Sequence, residues 1–295
     1  MEFVTTLIAS DKPLTIAHIA GITRYLDSQG IPLCDDPIWL KTHKAADLYT
    51  ATRPNSDQIR TIREALIPDR IDVLFNRTKG RKKKLLLADM DATIVQTETL
   101  DELAGFIGKK EETAEITART MRGELDFATS LRERVGLLKD LSEGVLHQTL
   151  EETQLSAGAE LMVGGMREKG ATCVLVSGGF TYFTGAIAKM VGFHHHHGNT
   201  LGIENGRLTG KVIEPILDKN AKLSFLMDYM SQLNLAPEDV MAIGDGANDI
   251  LMLETAGLGI GYRPKPLLVE RLDNLILYGD LTAALYAQGL VPNIH

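Results

Sequence analysis

Two patterns of apolar spacing divide the chain. Over residues 1–78 the apolar positions alternate between strand-like runs and helical spacing. Phe3–Ala9 reads as a strand. Ile16, Ile19, Ile22 and Leu26 then recur at near-helical intervals between Thr15 and Gln29, with Gly30 as a stop, which predicts a helix. Ile38 to Thr50 can hold one or two irregular strands. Ser56 opens a second helix with Ile59, Ile62 and Leu66 on one face and Pro68 beyond its end, and Ile71–Phe75 reads as a closing strand. The order predicts a small α/β unit over residues 1–78 that carries no chemical constellation.

The second pattern is a set of apolar tetrads that each run into small, polar or acidic residues. Leu85–Ala88 leads into Asp89-Met90-Asp91-Ala92-Thr93, Cys173–Val176 into Ser177-Gly178-Gly179, and Val240–Ile243 into Gly244-Asp245-Gly246-Ala247-Asn248-Asp249. Continuous apolar runs of this length suit strands buried on both faces of a parallel sheet. Their ends then meet at one edge, where open α/β folds bind ligands. Asp is common in turns, so any one tetrad can be a strand followed by an acidic turn. Convergence of all three is harder to explain that way. Two carboxylates one residue apart can divide labour, one attacking phosphorus and the other carrying a proton.

Between the first two tetrads lies far more chain than a crossover needs. Residues from about 97 to 155 are helical in pattern, predicting a helical cap inserted after the first core strand. Within it, Arg134 can clamp a carboxylate or form ordinary surface ion pairs. Helices are expected over Leu161–Glu168, Phe180–Met190, Lys219–Leu233 and Leu281–Gln288, and further strands over Leu258–Tyr262 and Asn274–Tyr278. Asn205-Gly206 marks the turn of a hairpin over about 201–214. The run His194–His197 is expected on a surface loop with weak metal affinity, since neighbouring side chains point in different directions. Arg77–Lys84 is expected as a solvated linker between residues 1–78 and the larger domain, 79–295.

Composition adds limits. The chain has 295 residues, 44% hydrophobic and 24% charged, with a net charge of −8, which argues against nucleic acid as a partner. The two cysteines, Cys34 and Cys173, cannot build a disulfide framework, which suits a reducing cytoplasm. No signal-like or membrane-length apolar segment is present in the sequence, so no membrane partner is expected.

Asp89-Met90-Asp91-Ala92-Thr93, Ser177-Gly178-Gly179, Lys222 and Gly244–Asp249 resemble, in order, the four motifs of the haloacid dehalogenase superfamily of phosphatases. Glu98, Met121–Phe127, Arg134 and Val176–Phe180 narrow the resemblance to its phosphoserine phosphatase family, over about Leu85 to Pro266. Residues 1–78 loosely resemble the ACT-like, ferredoxin-like α+β extension of some members, a structural or dimerising unit through which a homodimer would form. The resemblance implies an α/β fold with a Rossmann-like core, a central parallel sheet and a helical cap.

It also implies hydrolysis of phosphoserine, the last step of serine biosynthesis, through an aspartyl-phosphate. Asp89 would be the nucleophile and Asp91 the acid and base. One Mg²⁺ would be held by Asp89, the carbonyl of Asp91, and Asp245. Ser177, Gly178 with Gly179, and Lys222 would hold the phosphate, and Asn248 would contact phosphate or substrate. Asp249 would orient Lys222 or the metal's waters. Glu98 would bind the substrate ammonium and Arg134 its carboxylate, with Met121 and Phe127 closing the site. Ala92 stands where many relatives have Ser, a position expected to need only a small residue. The alternatives are a phosphatase of this fold for another small phosphate ester, and an inert phosphatase fold serving as an amino-acid-binding regulator.

Overall fold

The computed structural model describes residues 1–121, 124–217 and 220–293, without the side chains of Ala118 and Met121. The first unit runs β1 (Phe3–Ala9), α1 (Ile16–Ser28), β2 (Ile38–Lys41), β3 (Ala45–Thr50), α2 (Ser56–Leu66) and β4 (Ile71–Arg77). Each helix begins where the sequence satisfies its free amides. Thr15 and His18 exchange a capping box at α1, and Asn55 and Gln58 do so at α2. The strands pair antiparallel in the order β2-β3-β1-β4, a ferredoxin-like arrangement. Side chains alternate across this sheet. Leu7, Leu48 and Val73 face α1 and α2, burying Ile19, Ile22, Leu26, Ile59, Ile62 and Leu66. Ile8, Ala45 and Leu74 face the other way, into the main core.

The larger part begins with β5 (Leu85–Ala88). The helical insertion follows, with α3 (Thr99–Gly105), α4 (Lys110–Met121), α5 (Phe127–Gly136) and α6 (Gly144–Glu152). The core then continues through α7 (Ala159–Glu168), β6 (Thr172–Phe180), α8 (Thr181–Val191), β7 (His195–Glu204), β8 (Arg207–Ile213) and α9 (Ala221–Gln232). It ends with β9 (Val240–Gly244), α10 (Ile250–Thr255), β10 (Leu258–Tyr262), α11 (Pro266–Arg271), β11 (Leu275–Ile276) and α12 (Ala283–Ala287). Strands β11, β10, β9, β5, β6 and β7 are parallel neighbours in that order, and β8 closes one edge as a hairpin with β7. Asn205 and Gly206 both take positive φ, 50° and 73°, as a tight two-residue hairpin turn requires. Among the described residues no helix is long and apolar enough to cross a membrane.

Three expectations change. First, the two sheets are one. Strand β4 pairs antiparallel with β11 through Val73 and Leu275, giving eleven strands in a single ladder. The Asn274 side chain acts as an extra rung, accepting from the Phe75 amide at 2.7 Å and donating to its carbonyl at 3.1 Å. The Asp72 carboxylate accepts amides from Leu277, Tyr278 and Gly279.

Second, the basic segment before β5 is not merely solvated. Arg81 forms a buried ion pair with Asp47 on β3, and Lys83 is 4% exposed with Nζ donating to the Gly80 and Glu238 carbonyls. Third, His195–His197 lie in β7 rather than on a loop. Val174, Leu175 and Val176 pair with them along the parallel ladder, so the strand pattern of β6 extends to its neighbour. The alternating directions expected of adjacent histidines hold: His196 meets Thr184 of α8, and His197 meets Tyr229 of α9. The last predicted strand shortens to Leu275–Ile276, and the helix expected from Lys219 begins at Ala221, Lys219 itself lying outside the described residues.

Candidate active site

Strand β5 is fully buried on both faces, and its neighbours β6 and β9 are parallel to it. The three apolar tetrads therefore deliver their polar ends to one edge. The Asp89 amide still belongs to the ladder, donating to the Ile243 carbonyl at 3.0 Å. The chain then turns sharply through Met90–Ile94. Ala92 takes the left-handed conformation there (φ 52°, ψ 8°), which bulky residues resist and a small one tolerates. At the β6 end the ladder with β7 shifts register between Val176 and Phe180. That break frees Ser177, Gly178 and Gly179 to line the cleft.

Two sets of contacts organise the carboxylates. Lys222, buried at the start of α9, places Nζ 2.7 Å from Asp89 Oδ1 and 2.5 Å from Asp249 Oδ1. Asp249 Oδ2 accepts the amides of Asp245 and Gly246 at 3.2 and 3.1 Å, fixing the turn after β9. Asp91 is held separately. Its Oδ1 accepts the Thr99 amide and hydroxyl at 2.9 and 2.8 Å, and its Oδ2 accepts the Ser177 hydroxyl at 2.7 Å. Ser177 in turn accepts the Gly179 amide at 2.7 Å. A Cβ on Gly179 would lie 3.0 Å from Asp91 Oδ2, so the close approach of loop and acid needs glycine there.

Electrostatics set Asp89 and Asp245 apart from ordinary surface acids. Burial, then the Asp249 charge, pushes Asp89 well above the usual carboxylate range, with Lys222 opposing. Burial alone would lower Lys222, but Asp249 and Asp89 outweigh it and keep the ammonium charged. Burial likewise raises Asp245. Asp89, Asp245 and Asp249 present oxygens all within 4.8 Å of one another. Three buried carboxylates face two ammonium groups, the buried Lys222 and the part-exposed Lys265, which leaves one negative charge uncompensated. Hard oxygen donors in this arrangement fit a divalent cation. Thr99 and Ser177 engage both carboxylate oxygens of Asp91, which is not among the three clustered acids.

The helical insertion closes over this edge. Asp89, Asp91, Glu98, Thr99, Phe127, Arg134, Ser177, Gly178, Gly179, Asp245, Asn248 and Lys265 line one cavity of about 120 Å³. Phe127, first residue of α5, lies against Gly178, where a Cβ would come within 3.1 Å of its ring. Arg134 projects from the last turn of α5 with a buried Nε that has no hydrogen-bond partner among the described residues. Burial lowers its pKa, with Asp101, Glu98 and Asp91 opposing. Glu98 stands just before α3 without capping it, and its carboxylate lies 3.3 Å from Lys265.

Every sequence-expected site residue with a described side chain thus meets at one place; Met121 falls outside the described side chains. Ser177 bonds Asp91 in this structure rather than standing free for a phosphate. Thr99 and Lys265 were not anticipated. Thr99 follows Glu98 directly, which is the signal that marks it, whereas Lys265 is brought to the same sheet edge by β10 lying next to β9.

Residues 86–254 match the haloacid dehalogenase-like hydrolase family. A phosphoserine phosphatase from Archaeoglobus fulgidus is 42% identical over 199 residues, 68% of this chain and 58% of that protein. The chain thus spans a little over half the length of that relative. A haloacid-dehalogenase-family hydrolase from Salmonella enterica serovar Typhi superposes over 97% of this chain and 98% of its own, with TM-score 0.86 and 28% identity. A structure of a phospho-aspartyl intermediate analogue of phosphoserine phosphatase covers 70% of this chain and 98% of its own, with TM-score 0.65 and 39% identity.

Proposed function

Because the chain belongs to the haloacid dehalogenase-like hydrolases, we propose that it is a phosphoserine phosphatase working through an aspartyl-phosphate. The observation that carries this reading is Arg134. A partly buried guanidinium with an unpaired Nε faces the same cavity as Asp89, with the Glu98 carboxylate also on its wall. An unsatisfied buried donor is costly, and a ligand carboxylate would satisfy it. Glu98 supplies the anion that an ammonium needs. A phosphate ester bearing both charges is a phosphorylated amino acid, and the small cavity suits phosphoserine. The two relatives that carry this name agree with that choice.

On this reading Asp89 Oδ attacks phosphorus while the bond from phosphorus to the serine oxygen breaks. Asp91, acting as general acid, gives a proton to that oxygen; Thr99 fixes the orientation of its carboxyl group. Water then attacks the aspartyl-phosphate, Asp91 takes the water's proton, and Asp89 leaves as carboxylate. The hydroxyl of Ser177, the Gly178 amide beside Gly179, Lys222 and Asn248 hold the phosphate oxygens. A divalent cation, Mg²⁺ on this reading, would be held by Asp89, Asp245 and the Asp91 carbonyl and would offset the repulsion between carboxylate and phosphate. Phe127 over Gly178 excludes water from the first step. The enzyme would thereby supply serine as the last step of its biosynthesis, in the cytoplasm.

The test is phosphate release from a panel of esters, with Mg²⁺ and then with a chelator. Mg²⁺-dependent release from phosphoserine, much faster than from phosphoethanolamine, is expected, and Asp89→Asn should lose it by about 10⁴-fold or more. Equal rates on esters lacking the carboxylate would remove the phosphoserine assignment.

A further inference from the structure

One cation in the cleft has no part in the reaction just described. Lys265 stands at the N-cap of α11, and its amide donates to the Asp245 carbonyl at 2.8 Å, which anchors its backbone beside that acid whatever the side chain. Its Nζ lies 3.0 Å from Asp245 Oδ2 and 3.3 Å from Glu98 Oε1. These two carboxylates come from different parts of the molecule, the end of β9 and the first turn of the helical insertion. Asp89 and Asp249 share Lys222 instead. Lys265 therefore touches one acid that a divalent ion would take and one that a substrate ammonium would take.

We propose that Lys265 is a placeholder cation, a positioning residue that partly offsets the charges of Asp245 and Glu98 in the empty cleft and must withdraw when the divalent ion and the ammonium arrive. The inference rests on the reading of the cleft as a metal-dependent phosphoserine site. Two contrasts support it. The Lys222 side chain is 5% exposed and enclosed by its partners, whereas that of Lys265 is 43% exposed, so its flexible stem has solvent to swing into. A divalent cation on Asp245 would also face a like charge a few ångströms away, which is repulsive even with partial screening. Lys265 then lowers the affinity of the site for both cations while reducing the negative charge of the empty cleft.

The experiment is calorimetric titration of the full chain with Mg²⁺, without substrate, for the wild type, Lys265→Met, Lys265→Arg and Asp245→Asn. Lys265→Met is expected to bind Mg²⁺ about tenfold more tightly, roughly 1.4 kcal/mol. Lys265→Arg, which keeps the charge, should stay near the wild type, and Asp245→Asn should bind far more weakly. Unchanged or weaker binding by Lys265→Met, with Asp245→Asn impaired, would overturn the placeholder role and leave the metal site standing. Wild-type binding that Asp245→Asn does not weaken would overturn both the placeholder role and the metal site.

Discussion

Arg81 and Arg134 are both guanidinium groups drawn out of water, and the protein treats them differently. Arg81 is saturated. Its Nη1 donates to Asp47 and Tyr49, its Nη2 to Asp47, Thr6 and the Tyr286 carbonyl, and its Nε to the Ala287 carbonyl. Those partners come from β1, β3 and α12, so one side chain joins the first unit to the last helix. Arg134 keeps an unpaired buried Nε beside a cavity. Asp47 and Asp89 differ in the same way. Asp47 has its own cation and two hydroxyls, while Asp89 must share Lys222 with Asp249. In this pair the saturated guanidinium serves a joint, and the unsaturated one faces a cavity.

The comparison can be broken at either end. The largest effect is expected from Asp47→Ala, which strands Arg81 in the interior and should cost about 3–5 kcal/mol in denaturant unfolding. Phosphate release per folded molecule should stay within about twofold; a collapse of turnover at full stability would mean the joint is part of the site. Next is Arg134→Met. It should lower kcat/KM for phosphoserine about 100-fold, roughly 2.7 kcal/mol, with little change on phosphoethanolamine. Its melting temperature should hold or rise, because an unsatisfied buried cation is removed. A drop in stability would place Arg134 with Arg81.

The smallest effect concerns Lys83, whose ammonium burial lowers to about 8 from an ordinary 10.5. A lysine lowered in the fold binds its proton more tightly when unfolded. Stability should therefore rise as pH climbs from about 8 toward 10.5 and the penalty should be complete below 8. Lys83→Met should remove that rise, changing the difference from wild type by about 2 kcal/mol between pH 7 and pH 10 in denaturant melts.

What could be read from sequence was whatever rests on local pattern. Leu85–Ala88, Ile16–Leu26 and Ser56–Leu66 each state their structure in their own spacing. The catalytic edge was legible because three tetrads end in the same kind of residue. What escaped depends on partners distant in sequence. Arg81 looks like part of a solvated basic run until Asp47 and the Ala287 carbonyl arrive from elsewhere. His195–His197 look like a polar loop because the strand is specified by pairing with Val174–Val176. Lys265 sits in Arg263-Pro264-Lys265-Pro266, which reads only as a turn. Its position beside Asp245 is set by β10 lying next to β9.

The continuous ladder has a practical corollary for anyone shortening the chain. A fragment starting at residue 79 would lose β4, baring the Leu275–Ile276 side of β11, the Asn274 amide and the amides now held by Asp72. A bare sheet edge beside a hydrophobic core invites self-association. Such a fragment should clump rather than report on catalysis, and solubility would need a replacement strand or charged residues along that border.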